Sequence, residues 1–273
     1  LKETGKRVLF GLIAAPIFLA VLWLGDWYLN ILVLIIVGLM QRELANIFFI
    51  ADAKVDLSWA FLFAFLILFQ TKIPLFFPVV LFLVILYVGL KALQPDRLQF
   101  RDTLPTLFTS LYVPSLMVTI LFLRETGSTE TGFIVLSLIV LMVWGNDTLA
   151  YFGGRALGKH LLAPKISPKK TVEGFLFGFL GAAMVYTAYT LWVPGASFLE
   201  QISLWPIVVM ASVFGPIGDL TESRLKRFVD VKDSSNLLPG HGGFLDRFDA
   251  LMIVAPICWI YLEFLLYFSL VTF

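Results

Sequence analysis

Residues Phe133–Phe152 read FIVLSLIVLMVWGNDTLAYF, twenty positions in which Asp147 is the sole charged side chain. A run of that length and polarity suits an α-helix crossing a hydrocarbon core about 30 Å thick. Eight further apolar stretches flank it. Val8–Leu24, Trp27–Met40, Leu57–Phe69, Ile73–Leu93 and Leu104–Leu123 precede it, and Phe175–Val193, Leu204–Leu220 and Ala250–Leu270 follow. The runs are continuous rather than alternating, which argues against a membrane β-barrel. Composition agrees. Of 273 residues, 59% are hydrophobic and 14% charged, against about 25% charged in soluble domains, and the mean hydropathy is +0.92. Cys258 is the one cysteine, so no internal disulfide framework exists. The reading is an all-α, polytopic integral membrane protein with about nine transmembrane helices. The second and third stretches are short for a span and are expected to be tilted, extended by flanking aromatics or partly buried in protein.

Nine spans place alternate loops on opposite sides, and the basic residues then divide sharply. Eighteen of the 20 Lys and Arg fall on one side, and only Lys72 and Arg124 on the other. Positive residues mark cytoplasmic loops, so the N-terminus is expected in the cytoplasm and the C-terminus on the far side. The first stretch follows Lys2, Lys6 and Arg7 as a signal peptide would, yet no small-x-small site ends it, so it reads as an uncleaved anchor. The chain divides into N-terminal transmembrane helices (1–130) and a C-terminal catalytic transmembrane region (131–273), one continuous membrane domain. The latter carries two cytoplasmic loops, 153–174 and 222–249, with five basic residues each. No internal repeat or soluble domain is evident, so chemistry is expected at the cytoplasmic surface of the membrane.

The second loop holds the densest set of reactive groups. Ser223-Arg224-Leu225-Lys226-Arg227 is followed by Lys232-Asp233, by Pro239-Gly240-His241-Gly242-Gly243 and by Asp246-Arg247-Phe248-Asp249. Carboxylates suit a hard cation such as Mg²⁺. Lys and Arg neutralise phosphate, Arg through a bidentate fork. Glycines around His241 permit close backbone approach and a nest of N–H groups for an anion. Asp219, Ser223 and Lys226 form one polar stripe if the eighth helix continues beyond the membrane, and Asp246 and Asp249 share a face if the ninth starts near Asp246. The bland alternative is a solvated loop with helix caps. Carboxylates near membrane depth, at Asp219 and at Asn146-Asp147, weigh towards function.

In the first loop, Lys165, Ser167, Lys169, Lys170 and Thr171 gather cations and hydroxyls before the seventh helix. The start of that helix at Thr171-Val172-Glu173 offers free N–H groups to an anion, although a basic loop is also what topology alone requires and Thr171 also fits a plain cap. Glu43, after Gln41-Arg42, reads as a charge paired at the end of the second helix. His160 reads as a surface residue and Cys258 as a small apolar packer. The many Phe and Trp side chains suit lipid and interface, not base stacking, so no nucleic-acid partner is expected.

The run from Ser223 to Asp249 resembles, without departure, the signature of the phosphatidate cytidylyltransferase (CDP-diacylglycerol synthase) family. A looser resemblance covers Asn146-Asp147 and Gly158–Gly174, so the likeness extends over roughly the C-terminal half. It implies condensation of CTP with phosphatidic acid to give CDP-diacylglycerol and pyrophosphate, at the cytoplasmic face of the inner (cell) membrane. It also implies Mg²⁺, with room for a second cation of unstated identity, and suggests a homodimer. Under that resemblance Asp219, Asp246 and Asp249 are the metal ligands. Lys226, Arg227 and Lys232 are phosphate ligands, and Ser223, Asn146, Asp147, Lys165, Ser167, Lys169, Lys170, Thr171, Gly242 and Gly243 line the substrates. Arg247 is either a phosphate ligand or structural. His241 either donates to a phosphate or leaving pyrophosphate, or its glycines merely shape the loop. The nearest enzymatic alternative is a CTP-dependent polyprenol or phytol kinase. A membrane transporter would be the alternative of another class, but the polar groups concentrate at one face rather than along a pathway. The Asp-x2-Asp-Gly-x2-Ala-Arg run of CDP-alcohol phosphotransferases is absent.

Overall fold

The computed structural model describes residues 3–73, 75–93, 101–193, 205–238, 240 and 242–268. Among these, nine α-helices coincide with the nine apolar stretches: α1 (Glu3–Leu24), α2 (Asp26–Ile50), α3 (Leu57–Leu68), α4 (Phe76–Ala92), α5 (Thr103–Arg124), α6 (Thr129–Leu157), α7 (Val172–Trp192), α8 (Trp205–Phe228) and α9 (Leu245–Tyr267). Their starts follow local chemistry. Asp56 caps α3 by accepting from the N–H groups of Ser58 and Trp59, Ser128 caps α6 through Thr131, and Thr171 caps α7 through Gly174.

Five helices, α2, α5, α6, α7 and α9, are long and apolar enough to cross a membrane by length and composition. The chain is an integral membrane protein. The second stretch does not stop at Met40: α2 runs on to Ile50, 25 residues in all, because Gln41 is buried against α3 and α5, and Glu43 against the start of α9 and the loop before it, instead of facing water. Gln41 Nε2 donates to the carbonyl oxygens of Ala60 (3.0 Å) and Thr109 (3.1 Å), which secures α2 to α3 and α5. The third stretch stays short, with twelve residues in α3 and a 3-10 turn at Gln70–Lys72 after it.

A second departure from the all-α expectation lies in the loop after α6. Leu161–Ala163 (β1) and Ser167–Thr171 (β2) pair antiparallel, with Leu161 opposite Thr171 and Ala163 opposite Ser167. Three residues join the strands, a length suited to a hairpin.

The core is one cluster shared by both halves of the chain, with Val37, Met40 and Leu44 of α2, Val113 and Met117 of α5, Ile139 and Met142 of α6, and Val254 and Cys258 of α9 fully buried. Phe77, Phe82 and Ile85 of α4 and Leu176, Met184 and Trp192 of α7 point outwards instead, as lipid-facing side chains do.

The turns sort to two ends. Asp26, Lys72 and Glu125 line one small cavity, so the α1–α2, α3–α4 and α5–α6 turns meet. Arg124 ties the first of these turns to the third by donating to the carbonyl oxygens of Leu22 (2.8 Å), Trp23 (3.0 Å) and Thr129 (2.7 Å). At the other end Arg101 pairs with Asp52 at 3.4 Å, and the N–H of Lys54 donates to Asp102. Helix α6 connects the two ends, and its 29 residues span roughly 43 Å. Lys72 and Arg124 therefore lie away from the end that holds the α6–α7 hairpin and the α8–α9 connection.

Candidate active site

Helices α8 and α9 cross where Gly218 meets Asp249. A Cβ at Gly218 would overlap the carbonyl oxygen of Asp249 and press on the Cα of Ala250. Only glycine lets the helices approach this closely. The crossing sets the carboxylate of Asp219 beside that of Asp249. Helix α6 contributes Asp147, within Coulomb reach of Asp219, Asp249, Lys170 and Arg247.

The hairpin completes this first polar group. Successive residues of β2 face opposite ways: Lys169 is exposed, whereas Lys170 turns inward and its Nζ lies 2.6 Å from Asp219 Oδ2. The same ammonium reaches the carbonyl oxygen of Pro216 at 3.5 Å, and the Ser223 hydroxyl donates to Asp219 Oδ1 at 3.2 Å. Glu173 anchors the hairpin by accepting from the backbone N–H groups of Lys159 (3.0 Å) and His160 (3.2 Å) and by meeting the exposed His160 ring at 2.6 Å.

A second polar group lies farther along α8. Lys226 is almost fully enclosed, its ammonium 2.6 Å from Glu222 Oε2 and in direct contact with Asp246 Oδ1. Asp246 Oδ2 accepts from the backbone N–H (3.0 Å) and hydroxyl (2.9 Å) of Ser234 and from the N–H of Gly243 (2.7 Å). Glu43, 3% exposed on α2, closes the group from the other half of the chain. Its Oε1 accepts from the Ser235 hydroxyl (2.7 Å) and the Phe244 N–H (3.0 Å). Its Oε2 accepts from the Leu245 N–H (2.8 Å) and lies 2.9 Å from the Ser234 hydroxyl. A Cβ at Gly243 would overlap both Ser234 Oγ and Glu43 Oε2, so a side chain here would displace the two groups that hold the turn.

The eighth helix does continue, since α8 runs to Phe228, but the members of the expected polar stripe fall into different contact groups. Asp219 and Ser223 belong to the first group. Lys226, expected to bind phosphate, has its charge neutralised by two protein carboxylates. Arg227 is exposed and donates to the carbonyl of Val231 at 2.9 Å, closing the end of α8. Lys165 and Lys232 are exposed, Ser167 is half-buried in β2, and Thr171 caps α7. Asn146 is 1% exposed, with neither amide atom hydrogen-bonded among the described residues. Gly242 takes a left-handed φ of 78° in the turn before α9. His241 lies outside the described residues.

The three expected metal ligands do not converge. Among the described residues no group of three or more His, Cys, Asp or Glu side chains has the spacing of a metal cage. Asp219 and Asp249 are together, whereas Asp246, one helical turn before Asp249, is committed to Lys226, Ser234 and Gly243. Mg²⁺ commonly takes only one or two carboxylates, with water and substrate phosphates filling the rest. The Asp219–Asp249 pair suits that mode.

Sequence reading undervalued Glu43, and the missed signal was its position. It continues an apolar helix, where an ionisable side chain is costly to bury without partners.

A profile of the cytidylyltransferase family matches residues 5–265. The phosphatidate cytidylyltransferase of Bacillus subtilis is 32% identical over 258 residues, 92% of this chain and 94% of its own. That of Staphylococcus epidermidis is 33% identical over 259 residues, 92% of this chain and 96% of its own. That of Staphylococcus saprophyticus is 41% identical over 168 residues, 60% of this chain and 61% of its own. The likeness thus runs from the first helix to the last and is not confined to the Ser223–Asp249 signature, and the chain belongs to the cytidylyltransferase family.

Proposed function

We propose that the chain transfers the cytidylyl group of CTP to phosphatidic acid, giving CDP-diacylglycerol and pyrophosphate. The observation that carries this reading is the meeting of Lys170, Asp219 and Asp249 at one end of an apolar bundle. A phosphate oxygen of phosphatidic acid bonds to the α-phosphorus of CTP. The bond from that phosphorus to the bridging oxygen of the departing pyrophosphate breaks, and pyrophosphate leaves with the electron pair. The nucleophile is already anionic near neutral pH, so the protein has little proton transfer to perform. Its contribution is positioning and charge neutralisation. Lys170 supplies cationic charge beside Asp219 and Asp249, and Arg247 beside Asp147. The exposed Lys165, Lys169 and Lys232 raise the local concentration of a highly charged nucleotide. Asp219 and Asp249 are the ligands we assign to Mg²⁺, whose charge would offset that of the triphosphate.

The full nine-span arrangement belongs to the same reading. It puts the N-terminus and the 18 basic residues in the cytoplasm, where CTP is, with the phosphatidate headgroup at the adjoining membrane surface. The test is product analysis in lipid vesicles with CTP labelled at the α or the γ phosphorus. Lipid carrying α label and no γ label is the expected result. Lipid carrying γ label identifies a CTP-dependent kinase instead, and unlabelled lipid refutes both.

A further inference from the structure

Helix α9 has no side-chain cap of its own, since Phe244 occupies the capping position and makes no such bond. The Glu43 carboxylate, two hundred residues earlier, accepts the first two N–H groups there, from Phe244 and Leu245, and binds the hydroxyls of Ser234 and Ser235 in the loop before them. A carboxylate at a helix N-terminus is favoured by the unpaired N–H groups and by the helix dipole. One of its partners, Ser234, is also held by Asp246, which contacts Lys226, which contacts Glu222. A continuous polar chain therefore runs from α2 through the signature loop to α8.

We propose that Glu43 is a positioning residue for the reaction. It clamps the 234–245 segment and fixes the start of α9, and so determines where Arg247 and Asp249 stand relative to Asp219. The inference rests on the proposed cytidylyl transfer for its catalytic consequence, but the clamp itself is measurable without turnover.

The discriminating variant is Glu43→Gln. Whichever way its amide is oriented, the NH₂ faces one backbone N–H, that of Phe244 or of Leu245. Neither N–H can turn away as a hydroxyl can. Loss of charge-assisted hydrogen bonds corresponds to roughly ten- to hundredfold effects. In the full-length chain in vesicles, Glu43→Gln is expected to lower kcat at least tenfold while the KM for CTP moves less than about threefold. Amide hydrogen exchange across 233–245 is expected to accelerate tenfold or more, with the 133–143 segment of α6 unchanged. Ser235→Ala removes the contact with Glu43 and, within the loop, the bond that Ser235 accepts from the Leu237 N–H; it leaves α2 intact, so it serves if Glu43→Gln fails to fold. Its effect through Glu43 is read at 243–245, away from Leu237, where it is expected to show the same pattern more weakly and to add nothing in a Glu43→Gln background. Unchanged exchange at 243–245 in Ser235→Ala, or accelerated exchange there with wild-type kcat, overturns the proposal. So do additive effects of the two substitutions at 243–245. If the wild-type chain forms no CDP-diacylglycerol, the proposed activity fails, and the exchange data still decide the clamp.

Discussion

Lys226→Met distinguishes two roles for a residue at the centre of the signature. As a phosphate ligand, Lys226 would be needed for CTP and dispensable for folding. The structure gives it a different task. Its side chain is 9% exposed and lies between Glu222 (6%) and Asp246 (7%). Asp246 keeps three other hydrogen bonds when the ammonium is removed, from Ser234 twice and from Gly243. Glu222 keeps none of comparable strength: Lys226 is its ion-pair partner, and Oε1 has no hydrogen-bond partner among the described residues. Breaking a buried pair while leaving one charge behind costs about 3–5 kcal/mol. In a chain of this size that lowers the midpoint of thermal unfolding by on the order of 10 °C. Reaction of Cys258, the sole cysteine and fully buried, with a thiol-reactive fluorophore reports unfolding in detergent directly. Adding Glu222→Gln removes the stranded charge, so the double variant is expected to recover at least half of the lost stability. A Lys226→Met protein that melts like wild type but needs far more CTP would refute the charge-balance account and restore Lys226 as a phosphate ligand.

Other expectations follow from the same geometry. Asp219→Asn and Asp249→Asn should each lower turnover by at least about tenfold and raise the Mg²⁺ concentration required for half-maximal rate, whereas the exposed Asp230→Asn should match wild type in both; unchanged Mg²⁺ dependence in the first two removes the metal assignment. Gly218→Ala should push α8 from α9 at the Asp249 carbonyl, destabilise by about 1–3 kcal/mol as overpacking does, and depress activity beyond the stability loss; a fully active variant would show that the crossing does not set the site. A reporter within 153–174 should be cytoplasmic and one fused after residue 273 should not, and finding both on one side would dismantle the nine-span arrangement.

The helices were legible because their signal is local. A hydrophobic run declares a helix at membrane depth without reference to its neighbours, and all nine stretches lie on helices among the described residues. How far α2 extends past Met40 is not legible, for the complementary reason. Gln41 and Glu43 look like an exit into water, and only the packing of α3, α5 and the 234–245 segment around them makes them interior. The hairpin at 161–171 was missed because two strands this short carry no alternating pattern beyond the noise of a basic loop.

The signature poses a deeper problem of the same kind. Ser223 to Asp249 is contiguous in sequence and reads as one set of ligands, yet the fold divides it. Asp219 and Asp249 face Lys170 and Asp147 from two other elements, while Lys226 and Asp246 face Glu222 and, through Ser234, Glu43. The division follows from helix geometry. Lys226 lies about two turns beyond Asp219 on α8, and Asp246 one turn before Asp249 on α9, so the two sets sit at different levels and meet different neighbours. Residue type and spacing can place carboxylates and cations at one end of the bundle. Which carboxylate faces substrate and which holds a lysine in place depends on where the crossing falls, and a single glycine, Gly218, sets that point.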